Sequence, residues 1–501
     1  GARVVILGGG VGGLSAAYEL GKAGYACTVL EARQRVGGRN HTIRGGDVLE
    51  MIDGTRQVCS FDEGLYFNAG PARIPTHHQA TLGYCRELGV QMETLVNHCE
   101  SALLQADSMN GGAPIQMRQA IFDTRGHVAE LLTKAVRNGG LDKEMSAEDR
   151  DRMMAALASW GALSNNGKVT APRHPYDTPD APNTQKAGDV AYAANSESGW
   201  LRQPGAGAQT PIARAPLPVS TLMHPIVGVG STFHDFIDMQ ATMLQPVGGM
   251  DQIPRAFETA LGPVVRKGCI VTKIARRGAG VEVSYREAAT GAVKHVEADY
   301  CIVNIPLKVL SAISADFSPD RKSAIDRAVY ANSIKIAFQS PRFWEREDHI
   351  YGGLSFTDRD TFITWYPSGK FHSPQGVLVA GYAFAKQADR FGALPLDQRI
   401  AYGRGTVERL HPGRSALLKN PMTVTWANVP YNLGIECPLA EQDPASYALL
   451  SQPDGPFYFA GEHLSHVGAW QQGAFLSAHH AIAQLDARHR GGQPVTDVRM
   501  Q

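Results

Sequence analysis

Arg3-Val4-Val5-Ile6-Leu7 is a short β-branched apolar run that enters Gly8-Gly9-Gly10-Val11-Gly12-Gly13, after which Leu14 to Leu20 places apolar residues at helical spacing. Gly21 and Gly24 punctuate the helix end, as residues tolerant of left-handed backbone do, and Ala26 to Leu30 supplies a second apolar run. Strand, glycine turn, helix and strand in immediate succession predict a βαβ unit and a parallel sheet. Further on, Val128 to Leu157 is rich in helix formers with apolar residues three and four apart, which predicts a helical region over about 111–240. Ile270–Ile274, Val281–Tyr285 and Val296–Val303 alternate or run apolar, bounded by Gly278, Gly280 and Gly291, and predict strands that return to the first domain.

Between these regions the composition of 164–218 shifts to Pro, Gly, Ala, Ser, Thr and Asn. Pro172, Pro175, Pro179, Pro182, Pro204, Pro211, Pro216 and Pro218 interrupt any regular element there. This predicts a long surface excursion or a mobile lid, with the helical region roofing the active site. There is no internal repeat, and no apolar run reaches the length of a membrane span.

At 501 residues the chain exceeds what one core organises, so two or three packed regions are expected. Hydrophobic residues make up 43% and charged residues 19%, which excludes a disordered or fibrous chain. Lys plus Arg and Asp plus Glu both count 48, so no overall field draws the protein to nucleic acid. The seven cysteines (Cys27, Cys59, Cys85, Cys99, Cys269, Cys301, Cys437) show neither Cys-x-x-Cys nor metal-ligand spacing, and an odd number cannot pair completely. They read as reduced, mostly buried thiols, with no metal expected. The numbering opens directly on the first strand, with no basic and apolar leader ahead of it; a cytoplasmic protein is the expectation, and a signal removed earlier would leave no trace.

Gly8-x-Gly10-x-x-Gly13 follows a strand and opens a helix, so its backbone can approach a pyrophosphate whose charge faces free N–H groups at the helix N-terminus. Glu31 ends the next strand, about twenty residues on, where a carboxylate accepts ribose hydroxyl protons. A tight turn with a solvated acid is the plainer alternative. These features do not choose between NAD and FAD.

The segment Leu30-Glu31-Ala32-Arg33-Gln34-Arg35-Val36-Gly37-Gly38-Arg39 resembles the one that follows the dinucleotide fold in flavin-containing amine oxidases. The resemblance implies that Ala32, Arg33, Gly38 and Arg39 hold FAD together with Gly8, Gly10, Val11, Gly12, Gly13 and Glu31. Phe457-Tyr458-Phe459-Ala460-Gly461-Glu462 is similar to the family's C-terminal flavin strand, and Ala469-Trp470-Gln471-Gln472-Gly473-Ala474 to its flavin-contacting helix start. This adds Gly461, Glu462, Trp470, Gln471, Gln472, Gly473 and Ala474 to the implied cofactor site, and a helix N-terminus there suits the anionic side of a reduced flavin. Val271 falls near the expected adenine-contacting strand.

Asn68-Ala69-Gly70-Pro71-Ala72-Arg73-Ile74-Pro75 resembles the signature of the L-amino acid oxidases within that family, which places Gly70, Pro71, Ala72 and Arg73 at the cofactor and Arg73 on the substrate carboxylate. Pro246 to Asp251, Lys335 and Tyr382 also match. The chain departs from the family at Ala469, where glycine is frequent, and at Ala331, where a basic residue can occur; both bear on side-chain preference.

The resemblance implies an α/β fold, α+β overall, with a Rossmann-like FAD-binding domain, a substrate-binding sheet domain and a helical domain. These take residues 1–70, 244–330 and 440–490; 71–110 and 331–439; and 111–243, respectively. The implied reaction is oxidative deamination of a free L-amino acid by hydride transfer from Cα to flavin N5, yielding 2-oxo acid and ammonia, with dioxygen reduced to hydrogen peroxide, in a homodimer. Arg73 and Tyr382 would hold the carboxylate, Ala469 and Trp470 would wall the substrate, and Lys335 would hold a water near the flavin. Amino-acid 2-monooxygenation, amine or polyamine oxidation and a non-catalytic flavin scaffold are the alternatives on the same fold.

Read from the residues alone, Arg73 is an ion-paired surface residue or a fork matched to a carboxylate. Tyr382 and Trp470 are core aromatics or substrate contacts, and Lys335, between Ile334 and Ile336, faces solvent or a pocket. His41, His77, His78, His463, His466, His479 and His480 receive no role, because hydride transfer from an uncharged amine needs no strong base.

Overall fold

The structure is a computed structural model and describes residues 1–165 and 190–492. Arg3–Leu7 and Ala26–Glu31 lie parallel, with Arg3 opposite Ala26 and Leu7 opposite Leu30, joined by the helix Val11–Lys22. Tyr300–Val303 pairs in parallel on the other side of Arg3–Leu7, Phe457–Phe459 lies beyond it, and Val265–Lys267 forms the opposite edge of this five-stranded sheet. The first strand is apolar at consecutive positions because both its faces are covered. Val4 and Ile6 pack on Ala16 and Leu20 of the first helix and on Ala478 and Leu485 of the last helix, Gln471–His489. Val5 and Leu7 pack on Ile274, Val281 and Val283 of a four-stranded sheet that includes Cys269–Arg277, Gly280–Glu287 and Val293–Ala298.

The apolar run expected at Val296–Val303 is two strands. Val293–Ala298 is antiparallel to Gly280–Glu287, whereas Tyr300–Val303 belongs to the parallel sheet. The chain changes sheets at Asp299, whose carboxylate and backbone N–H both bond the backbone of Arg3. Val293–Ala298 is mostly exposed whereas Tyr300–Val303 is largely buried, a difference set by which strand each one pairs with.

A seven-stranded sheet stands apart from these, in the order Ile115–Gln116, Leu103–Gln105, Leu354–Thr357, Ile363–Trp365, Gln375–Phe384, Ser333–Pro341, Lys419–Thr425. Lys335 is opposite Tyr382 across its two longest strands, which places both side chains on one face. A small sheet pairs Met243–Pro246 with Ile74–Pro75 on one side and Met92–Leu95 on the other. It brings Arg73, just before its first strand, beside Asn97, just after its last.

The helical region expected over about 111–240 contains Met117–Arg137, Ala147–Trp160, Val219–Leu222 and Pro225–Thr232 among the described residues, with a break between the first two. Asn138-Gly139-Gly140 ends the first helix with Gly139 at φ 77°, and the Ser146 hydroxyl accepts from the Asp149 N–H to start the second. Within the proline-rich excursion, Trp200–Arg202 and Ile212–Ala213 form a hairpin. Its exit is stitched to the helix Met117–Arg137, where Asp123 accepts from the Leu217 N–H and Gln119 donates to the Ala215 carbonyl. Residues 166–189 of the excursion lie outside the described residues. No described helix is long and apolar enough to cross a membrane.

Candidate active site

The glycine turn divides its labour. A Cβ on Gly8 (φ 99°) would lie 2.6 Å from the Asn304 carbonyl oxygen, and one on Gly13 would lie 2.1 Å from the Gly8 carbonyl oxygen. These two glycines serve helix–strand packing. A Cβ on Gly10 would meet only the Asn304 amide, at 3.4 Å, so its backbone stays open to a ligand. Glu31 is buried, and its carboxylate accepts from the N–H groups of Gly9 and Arg33, both at 2.8 Å.

In front of this turn lies a cavity of about 370 Å³. Gly8, Gly10, Val11 and Gly12 line it from the turn, and Glu31, Ala32, Arg33, Gly38 and Arg39 from the second strand and its continuation. Val271, Gly70, Pro71, Lys335 and Tyr382 also line it, together with Gly461, Glu462, Ala469, Trp470, Gln471 and Ala474. Arg39 and Glu462, far apart in the chain, form an ion pair of 2.8 Å in this wall.

Five expected contacts lie outside the wall. Gly13 packs on the first strand, as described. Gln472 accepts from the Thr81 N–H and hydroxyl, tying the last helix to the helix Gln79–Glu87. A Cβ on Gly473 would lie 2.1 Å from the Val467 carbonyl oxygen, so that glycine lets a loop pass the helix. Ala72 lines a second cavity of about 130 Å³, which shares Lys335 with the first. Arg73 is buried behind the wall, bound to Tyr382, which does face the cavity. Contact with a substrate or cofactor is decided here by which face of a turn or helix looks inward, which motif spacing does not encode.

Arg73 Nη1 donates to Asn97 Oδ1 at 2.6 Å, and its guanidinium lies 4.3 Å from the Trp365 ring centroid. Burial lowers its pKa, opposed by Tyr382. Lys335 donates to the carbonyls of Asn68 and Gly70 at 3.0 and 2.5 Å, and its Nζ lies 4.7 Å from the Tyr382 ring centroid. Burial, reinforced by the charge of Arg73, pushes Lys335 down to about 7. Burial raises the Tyr382 phenol, against the pull of Arg73. Ala469 has φ 64°, in the left-handed region that glycine adopts freely. The Trp470 ring meets His78 edge-on, with ring centroids 5.0 Å apart.

Motif reading missed Asn304, Glu436 and His463, all in the cavity wall. Asn304 directly follows the parallel strand Tyr300–Val303 and donates to the Gly8 carbonyl, so its place at the carboxyl end of a strand beside the glycine turn was a usable signal. His463 is held neutral, with its pKa lowered to about 3 by burial and by Arg39, and its Nε2 has no hydrogen-bond partner among the described residues. Its place directly after Glu462 of the C-terminal flavin segment was a usable signal.

A family model for flavin-containing amine oxidoreductases matches residues 11–485, and the chain belongs to that family. Among curated relatives, it is 27% identical over 498 residues to an L-amino-acid oxidase of Siganus canaliculatus, covering 97% of this chain and 85% of the relative. It is 28% identical over 501 residues to the flavin-dependent L-tryptophan oxidase RebO of Lentzea aerocolonigenes, covering 97% and 98%. Among solved structures, a putrescine oxidase bound to putrescine superposes with a TM-score of 0.60 at 18% identity, covering 97% of this chain and 99% of the other, a likeness of fold. The cofactor is FAD, and the residues present fit it: an open Gly10 backbone, a preset Glu31 carboxylate and an unpartnered His463 Nε2 all belong to one cavity.

Proposed function

We propose that the protein oxidises the Cα–N bond of a free L-amino acid, releasing a 2-oxo acid, ammonia and hydrogen peroxide. One observation carries this reading. Arg73 is a buried cation with Lys335, pushed down to about 7, as its neighbour, and among the described residues their hydrogen-bond partners are an amide, a phenol and two carbonyls, with no carboxylate. An uncompensated buried charge is costly, and an anion arriving beside it removes that cost. A substrate carboxylate is such an anion, whereas a diamine would add a further positive charge.

Tyr382 faces the cavity and presents its hydroxyl to the carboxylate, and Arg73, buried behind it and bound to it, would offer its planar fork to the same carboxylate by turning toward the cavity. Trp470 and Phe384 line the cavity and would orient the substrate and exclude water, while Trp365 packs in the same cluster and lines the second cavity. Lys335 in its neutral form holds a water at the face it shares with Tyr382, ready to take a proton from the substrate ammonium. When bound, FAD supplies the hydride acceptor and passes the electrons to dioxygen. The imino acid then hydrolyses in water.

Amine or polyamine oxidation is the second reading, supported by the likeness to putrescine oxidase. Peroxide, ammonia and 2-oxo acid measured against a panel of L-amino acids and putrescine separate the two. The expected result is equal yields of all three products from amino acids; preferential turnover of putrescine would overturn the proposal, and an amide product would mark monooxygenation.

A further inference from the structure

We propose that His77, His78 and Asp238 bind one divalent transition-metal ion of the zinc class at the rim of the substrate region. The three offer one ligand atom each, all within 4.8 Å of one another. Asp238 Oδ1 lies 2.8 Å from His77 Nε2 and 3.1 Å from His78 Nε2. A tetrahedral zinc ion with bonds of about 2.0–2.1 Å sets its ligand atoms roughly 3.3 Å apart, so small side-chain shifts complete the geometry. Two imidazoles and a carboxylate are the ligand types such an ion selects, and a water takes the fourth position.

The ligands are held from both sides. His77 and His78 sit in the turn that starts the helix Gln79–Glu87, with the His78 N–H bonded to the Pro75 carbonyl. Asp238 belongs to the short turn Ile237–Met239. His77 and Asp238 are partly exposed, which leaves a path for the ion, and none of the three residues lines the FAD cavity.

The site is wired to the substrate region. The Met239 carbonyl accepts from Asn97 at 2.8 Å, and Asn97 accepts from Arg73 at 2.6 Å. On the other side the His78 ring abuts Trp470. An ion would therefore clamp the turn Ile237–Met239 onto His77 and His78 and restrain both Arg73 and Trp470.

The test is calorimetric titration of zinc chloride into chelator-washed holoenzyme carrying no histidine tag. The expected result is one site per chain, with affinity reduced at least tenfold in His77→Gln and in Asp238→Asn and unchanged in His295→Gln, which alters an exposed histidine on a distant sheet. Flavin absorbance and circular dichroism of each variant report that it folds. Absence of binding to the wild-type holoenzyme, or binding that survives both His77→Gln and Asp238→Asn, overturns the proposal.

Discussion

Lys335 and Tyr382 face each other across two antiparallel strands, with the lysine Nζ 4.7 Å from the ring centroid of the tyrosine. The aromatic face favours the ammonium form, but burial and Arg73 oppose it and leave the lysine titrating at about 7. The unfolded chain holds this proton up to about 10.5 and the folded chain only to about 7, so folding expels it between those values. Stability therefore rises with pH across that window, and the full penalty of the buried ammonium is present below it. Lys335→Met should flatten the slope in thermal melts taken across the window. It should also remove the limb near neutral pH from the kcat profile and lower kcat by about 10²–10³, as loss of a proton-handling group does.

On the proposed reading, substrate class depends on Arg73. Arg73→Met should lower kcat/KM for amino acids by about 10²–10³, the scale of losing a buried charge-assisted pair, while flavin absorbance stays unchanged. Arg73→Lys should recover only part of the loss, because an ammonium lacks the planar fork. Steady-state kinetics on both variants check this; undiminished turnover of amino acids by Arg73→Met would show that the guanidinium does not hold the substrate.

Two glycines of one motif should fail differently. Gly13→Ala drives a methyl to 2.1 Å from a backbone oxygen and should yield little folded protein. Gly10→Ala meets only a side-chain amide at 3.4 Å, so the chain should fold but bind FAD at least tenfold more weakly. Soluble yield and flavin content of the purified variants distinguish the two outcomes.

Ala469 holds a left-handed backbone at φ 64°. Ala469→Gly relieves roughly 1 kcal/mol of strain but adds a comparable entropy to the unfolded chain, so its melting temperature should hardly move. Ala469→Val, β-branched in the same conformation, should destabilise by about 1–3 kcal/mol and weaken flavin retention, because the residue lines the cavity. Differential scanning calorimetry of the pair tests this.

Sequence by itself determined the βαβ unit, the parallel sheet, the glycine turn and the place of Glu31, because strand and helix periodicity and turn chemistry are properties of neighbours in the chain. The flavin segments at both ends were legible for the same reason: each is a short run whose backbone requirements are local. Only the tertiary structure decided that Val296–Val303 divides between two sheets, since a run of strand formers does not say which remote strand each half pairs with. It decided that Gln472 and Gly473 serve packing, that Lys335 lies inside with Arg73 for a neighbour, and that Asp238 meets His77 and His78. Burial, charge pairing and which side of an element faces a cavity arise between segments remote in sequence, and they are set when those segments pack.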